Sequence, residues 1–285
     1  MPFKLALGDG LAEDIKSMQL YPRADRIYRD LEALGFDAQA SLPIETVNQF
    51  DQLHYHGTDA LDAAIEACGM SDGQDVLEVG SGWGGCARYL ANSSGASVTA
   101  VELQKDYHDV ACDLTQRVGP EGVVNHVNAD FLELELPENG FDHAVSWLAL
   151  FHIPDRQRYL RKISAALRDG GTFFGEDLYL IQEPDEEEAE DFRKHLFPNS
   201  LVDRQVYIAS MEETGFDLDS FIDMTQDWTN FTRDRLAGFH ANRAQYEAVH
   251  SAQGYETIET FYAKMASYFE RGLVGGVRFA ARARV

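Results

Sequence analysis

Between Asp75 and Leu180 the apolar positions fall into two alternating kinds of run. "DVLEVG", "SVTAVEL", "VVNHVNAD", "FDHAVSWLAL" and "GTFFGEDLYL" are short and rich in Val, Leu and Phe, which predicts strands. "GCARYLANSS", "KDYHDVACDLTQRVG" and "PDRQRYLRKISAALRDGG" carry apolar residues at helical spacing; Gly119 closes the second and Pro154 opens the third. Strands and helices that alternate over short connections predict a parallel sheet covered by helices on both faces.

Outside this stretch the rhythm changes. "AEDIKSMQLYPRADRIYRDLEALGF" has helical spacing, interrupted at Tyr21-Pro22. Beyond Tyr179, "QEPDEEEAEDFRKHLFP" predicts an acidic helix and Leu201 to Thr214 another, followed by a strand at "FDLDSFIDMT". Two long helical patterns, Trp228 to His250 and Tyr255 to Arg271, lead to a last strand in "LVGGVRFAARARV". The expected fold is α/β: a Rossmann-like, mostly parallel seven-stranded sheet with helices on both faces. Residues 1–50 form an N-terminal helical lid and 51–180 the core. Residues 181–285 complete the sheet and carry a helical cap insertion over about 226–272. No internal repeat is visible.

Composition narrows the partners. A net charge of −24 repels nucleic acid and anionic lipid, which are bound through basic patches. No apolar run approaches the roughly 20 residues of a membrane span. "MPFKLALGDG" lacks the apolar core of a secretion signal, so the expected compartment is the cytoplasm. Cys68, Cys86 and Cys112 lie far apart, which argues for reduced thiols and against a disulfide framework or zinc site.

"DVLEVGSGWGGCARYL" then places four glycines in six positions, Gly80 to Gly85, at the first strand-to-helix turn. Ligands of open parallel sheets bind there, against backbone N–H groups at a helix N-terminus. Gly80, Gly82 and Gly85 satisfy G-x-G-x-x-G, so a dinucleotide is one reading. Three acids shift it. Glu78 lies two residues before Gly80. Glu102 ends the second strand, where it can accept from both hydroxyls of a ribose. Asp130, beside Phe131, ends the third strand, where it can accept from an adenine amine.

This set resembles the class I S-adenosylmethionine-dependent methyltransferases over about residues 50–180. The resemblance implies S-adenosyl-L-methionine as cofactor, with Gly80, Gly82 and Gly84 along its methionine half, Glu102 on the ribose and Asp130 and Phe131 on the adenine. Glu78, Trp147 and, in "FDQLHYHG", Gln52 and Tyr55 complete the implied cofactor set. "SWLALFHI" is similar to the enzymes that methylate small polar amines, the phosphoethanolamine and sarcosine/dimethylglycine type, which place a histidine at His152. The phosphoethanolamine enzymes carry an aspartate four residues earlier, and here that position is Leu148. Either His152 has another partner, or the acceptor atom has no proton to lose.

The lid offers Tyr21 and Tyr28 as further catalytic groups, Tyr21 also as a substrate contact. In the cap, Arg235, Phe239 and Arg243 follow helical spacing and can hold a carboxylate-bearing substrate, or else pack and pair locally. His54 and His56 lack a third ligand, so no metal is expected. The leading expectation is methyl transfer to nitrogen or sulfur of a small polar, carboxylate-bearing metabolite. The alternatives are an O- or C-methyltransferase of a larger apolar product, and a non-catalytic cofactor-binding regulator. No N-P-P-Y type tetrapeptide points to nucleic-acid methylation.

Overall fold

Val, Leu and Ala runs that cannot be left in water assemble the centre of the molecule. The computed structural model describes residues 24–119 and 122–284. Seven strands, β1 (Asp75–Val79), β2 (Ser97–Glu102), β3 (Val123–Asn128), β4 (Phe141–Trp147), β5 (Leu167–Leu180), β6 (Phe216–Asp223) and β7 (Val274–Ala283), form one sheet in the order β3-β2-β1-β4-β5-β7-β6. The first five run parallel, and β7 pairs antiparallel with both β5 and β6. The chain leaves β1 toward β2 and returns on the other side through β4, so the switch point lies between β1 and β4.

Alternation along β1 sends side chains to two cores. Val76 packs with Ala60, Leu61 and Ala64 of α3 (Thr58–Cys68) and Leu90 of α4 (Gly85–Ser94). Leu77 and Val79 face Leu160 and Ile163 of α6 (Arg156–Ala166) and Tyr207 and Met211 of α8 (Arg204–Glu213). Period two therefore puts Glu78 on the α3/α4 side, inside the core. Helix α5 (Lys105–Val118) joins Trp83 and α1 (Arg26–Ala33) in a third cluster, beside the one-turn α2 (Ile44–Val47). A fourth cluster, around Trp228, Phe269 and Phe192, seats the cap helices α9 (Thr225–Ala241) and α10 (Arg243–Glu270) and the acidic α7 (Glu186–His195). Asp185 and Glu188 close a capping box at the start of α7.

Two boundaries differ from the sequence pattern. "LRDGG" reads as the end of a helix, yet β5 begins at Leu167, which pairs with Phe141 and is buried. Arg168, bonded to Asp75 and Asp142, ties this segment to the sheet. The cap helices separate at Asn242, whose amide bonds back to the Gly238 carbonyl, rather than near residues 251–254. Ser251, with φ 73° and ψ 162°, remains as a break inside α10.

Candidate functional site

The glycine turn, the ends of β2, β3 and β4 and the loop before α3 enclose a cavity of about 400 Å³. It opens at the carboxyl ends of the strands, beside the switch point, where open α/β sheets bind ligands. Gly80 (φ 77°), Gly82 (φ 53°) and Gly84 (φ 71°) take left-handed backbone, which bends the chain from β1 into α4. What crowds their missing side chains is mostly protein. A Cβ on Gly80 would lie 2.3 Å from that of Ala149, one on Gly84 2.5 Å from His126 Cε1, and one on Gly85 2.6 Å from the Asp51 carbonyl. Gly80 and Gly82 line the cavity, whereas Gly84 points its α-carbon toward His126 and stands off the wall.

Three buried polar atoms on that wall have no hydrogen-bond partner: Glu78 Oε2, Ser81 Oγ and Trp147 Nε1. Buried groups of this kind are costly unless something else meets them. Together they offer two acceptors and two donors to a ligand, the serine hydroxyl serving as both. Burial pushes the Glu78 carboxyl up to about 8, against the pull of nearby Arg88. Glu102 is pushed up to about 7, also by burial, although its Oε2 accepts the Gly82 N–H and its Oε1 the Gln104 N–H, both at 2.8 Å. Each Glu102 oxygen keeps a lone pair for a hydroxyl. Asp51, Asp130 and Glu133 add further carboxyls, and among the described residues Arg158 is the one arginine or lysine on the wall. Such a lining suits a cationic ligand and repels a pyrophosphate.

The rest of the cavity is lined by residues that include Leu53, His54, Leu148, Ala149, His152, Ile153 and Pro154. Leu148 is held at φ 52°, rare for a leucine, with its N–H bonded to the Glu176 carbonyl at 2.7 Å. His152 ends a short 3₁₀ turn, Leu150–His152, and its Nδ1 lies 2.9 Å from the Phe197 carbonyl. A carbonyl only accepts, so Nδ1 carries the proton and Nε2 is left as a neutral acceptor. Burial lowers this imidazole to about 4. The partner open in the sequence is therefore a backbone carbonyl, and among the described residues no acid sits beside His152 to strengthen it as a base. His54, also buried, donates from Nδ1 to the Tyr55 carbonyl at 3.0 Å and stands 2.9 Å from the Gln52 amide.

Of the residues expected at the site, Glu78, Gly80, Gly82, Glu102, Asp130, Phe131, Trp147 and His152 share this cavity. Others are placed elsewhere. Gln52 lies behind the wall, bonded to Asp51 and His54. Tyr55 is buried edge-on against Trp228, 4.9 Å between ring centres. Tyr28 packs in the α1 cluster, away from the cavity lining, where burial and the neighbouring Asp113 carboxylate hold its hydroxyl above the ordinary range. Arg235 donates to the His54 carbonyl and covers Phe231, Phe239 stacks on Tyr255, and Arg243 pairs with Glu247. Local partners engage both guanidiniums, and neither Arg235 nor Arg243 lines the cavity. Tyr21 lies outside the described residues. Sequence reasoning missed Ser81, whose signal is a hydroxyl between two glycines, and Leu53, Tyr107 and Arg158, which only the fold brings in. Among the described residues no group of three or more His, Cys, Asp or Glu can hold a metal, and no helix is long and apolar enough to cross a membrane.

Comparison with known proteins gives this cavity a context. The chain is 29% identical over 150 residues to sarcosine/dimethylglycine N-methyltransferase of Halorhodospira halochloris, covering 53% of this chain and 54% of that protein. It is 28% identical over 165 residues to sterol 24-C-methyltransferase of Yarrowia lipolytica, 56% of this chain and 43% of that one. The matches thus span about half the length of these relatives or less. Among solved structures, phosphoethanolamine N-methyltransferase 2 of Haemonchus contortus, in complex with phosphomonomethylethanolamine and S-adenosylhomocysteine, superposes with a TM-score of 0.77 at 20% identity, covering 98% of this chain and 61% of that one. A cyclopropane synthase of Mycobacterium tuberculosis gives 0.73 at 15%, covering 96% and 100%. At these identities the structures share the fold. The family model of mycolic acid cyclopropane synthetase matches residues 48–279, from the loop before α3 to within β7, and so takes in every wall of the cavity. The chain belongs to the mycolic acid cyclopropane synthetase family of S-adenosylmethionine-dependent methyltransferases.

Proposed function

We propose that this methyltransferase acts on nitrogen or sulfur of a small polar metabolite, with Glu78, Ser81 and Trp147 meeting the polar groups of the methionine half, Glu102 the ribose, and Asp130 and Phe131 the adenine. The observation that carries the cofactor placement is the trio of orphaned buried polar atoms on one acidic wall. S-adenosylmethionine supplies, when bound, a methyl group on a cationic sulfonium. The chain's task is then to align an acceptor and keep water out. Leu53, Leu148, Ile153 and Pro154 exclude water, and His152 Nε2 accepts a hydrogen bond from an acceptor molecule to orient it.

A cavity of about 400 Å³ is small for a cofactor and a second large molecule together, since sites for one drug-sized ligand run to roughly 300–1,000 Å³. That favours a compact acceptor. An imidazole lowered to about 4 and lacking an acidic partner favours one with no proton to lose, such as a tertiary amine or thioether. A second reading, a larger apolar acceptor, draws on the apolar lining residues and on the sterol-methylating relatives. A screen of methylated glycines, other amino acids and thioethers against sterols and unsaturated lipids, read by product mass, separates the two. Methylation confined to the lipid set would overturn the first reading.

A further inference from the structure

His152 reaches the cavity from a turn too short to satisfy its own backbone. The 3₁₀ segment Leu150–His152 is a single turn, so its carbonyls need partners from elsewhere. One stretch of chain, residues 197–200, supplies them to all three. Ser200 Oγ donates to the Leu150 carbonyl at 3.0 Å, and the Asn199 and Ser200 N–H groups donate to that of Phe151 at 2.8 and 2.9 Å. The Asn199 side-chain amide donates to the His152 carbonyl at 2.8 Å; among the described residues no other side chain bonds to that oxygen. The same stretch holds the ring, because the Phe197 carbonyl takes the Nδ1 proton. Backbone and imidazole of His152 are thus fixed from one side, by residues two positions apart.

Two anchors set where this stretch lies. Just past α7, Phe197 has φ 51° and its N–H bonds to the Phe192 carbonyl at 2.9 Å. Glycine is the usual residue for left-handed backbone at a helix end, and a phenylalanine stays there only where its surroundings determine it. Pro198 follows and cannot continue the helix, so the bend turns the Phe197 carbonyl onto His152. Helix α7 is itself tied to the cap, since Asp191 accepts from Lys264 Nζ at 2.6 Å and from the Tyr268 hydroxyl at 2.8 Å, both on α10. At the other end, the buried Arg156 donates from Nε and Nη2 to the Ser200 carbonyl at 3.2 and 3.0 Å. Arg156 opens α6 only four residues after His152, so the clamp closes on the segment it holds.

Resting on His152 as the group that orients the acceptor, we infer that Asn199 is a positioning residue for methyl transfer: with the Phe197 carbonyl it holds His152 as the single Nδ1–H tautomer, Nε2 turned to the acceptor. Which imidazole nitrogen carries the proton is set by the hydrogen bond the other end makes, and a backbone carbonyl does this as well as a carboxylate. No acid is therefore needed at position 148. Removing the Asn199 amide frees the His152 peptide to rotate, which takes Nδ1 out of line with the Phe197 carbonyl.

Nitrogen-15 NMR of the full chain, labelled at its nine histidines, reads the tautomer directly, with His152→Gln giving the assignment. Wild-type His152 should show one neutral Nδ1–H form, unchanged from about pH 6 to 9. In Asn199→Ala, and in the isosteric Asn199→Asp, which cannot donate, a second population protonated at Nε2 should appear. S-adenosylhomocysteine affinity by calorimetry should stay unchanged in both. The wild-type spectrum needs no variant to fold: an Nε2–H form there, or a mixture, overturns the clamp. A single Nδ1–H form that persists in both variants overturns the role of Asn199. Against an acceptor found by product mass, kcat in Asn199→Ala should fall at least about tenfold, with KM for S-adenosylmethionine unchanged. A redistributed tautomer with undiminished kcat overturns instead the orienting role of His152, a failure distinct from loss of the clamp.

Discussion

Replacing Glu78 by Gln keeps the shape of the buried side chain and removes its charge. In the free protein burial raises this carboxyl to about 8, so at pH 7 it is mostly protonated. A ligand whose cationic amino group favours the carboxylate must first ionise it. That costs about 1.4 kcal/mol at pH 7, one pH unit below the raised value, and falls toward zero well above it. Wild-type affinity for S-adenosylhomocysteine should therefore rise about fivefold from pH 7 to 8 and about twofold more above pH 8 before it levels. In Glu78→Gln the slope should vanish. The lost charge-assisted bond, roughly 1.5–3 kcal/mol, should leave binding about ten- to a hundredfold weaker above pH 8. Stability provides a check of opposite sign. A carboxyl protonated when folded and ionised when unfolded makes the native state less stable as pH rises from about 4.5 to 8. Without ligand, Glu78→Gln should then resist urea at pH 8 at least as well as the wild type. Calorimetry over pH 6.5 to 8.5 and urea midpoints test both. A flat wild-type profile, or a Gln variant that binds normally at pH 8.5, would refute the reasoning.

Glu102→Ala should weaken S-adenosylhomocysteine binding at least about tenfold, since it deletes a charged acceptor and unties the Gly82 and Gln104 N–H groups; unchanged affinity in calorimetry counts against the ribose role. Gly85→Ala should destabilise by roughly 1–3 kcal/mol, because its Cβ would lie 2.6 Å from the Asp51 carbonyl, and a denaturant midpoint equal to the wild type contradicts that contact. The kcat at saturating substrate should stay nearly flat from about pH 6.5 to 9, since His152 titrates near 4. A steep rise near pH 7 that disappears in His152→Ala would show instead that this imidazole acts as a base. His152→Ala is expected to reduce kcat through lost orientation, with the profile still flat.

Much of the fold was legible because period-two and helical apolar runs are local signals, and the acids at Glu78, Glu102 and Asp130 sit at strand ends that the alternation itself locates. Boundaries set by long-range pairing were not. "LRDGG" has helical spacing, but Phe141 and the carboxylates of Asp75 and Asp142 capture it for β5. The cap arginines stand off the cavity for a related reason. Helical spacing puts Arg235, Phe239 and Arg243 near one another, yet only the packing of α9 on α10 shows that Tyr255, Glu247 and the His54 carbonyl claim them. The glycines were read as room for a ligand. Three of the four instead make room for Ala149, His126 and Asp51, a distinction no local pattern contains.

The position of β7 has a consequence for how the chain reaches this structure. It lies between β5 and β6, pairing Thr172 with Arg282 on one side and Phe216 with Ala283 on the other. Until residues 274–283 leave the ribosome, β6 has no strand to pair with, and β5 exposes the whole edge opposite β4. The parallel half of the sheet can assemble early around β1 to β5, while the other half waits on contacts spanning up to about a hundred residues, which form slowly. Two open edges in a nascent chain are sites for self-association. A truncation before Val274 should therefore yield aggregate rather than a smaller soluble domain, even though the cofactor cavity lies wholly upstream of that residue.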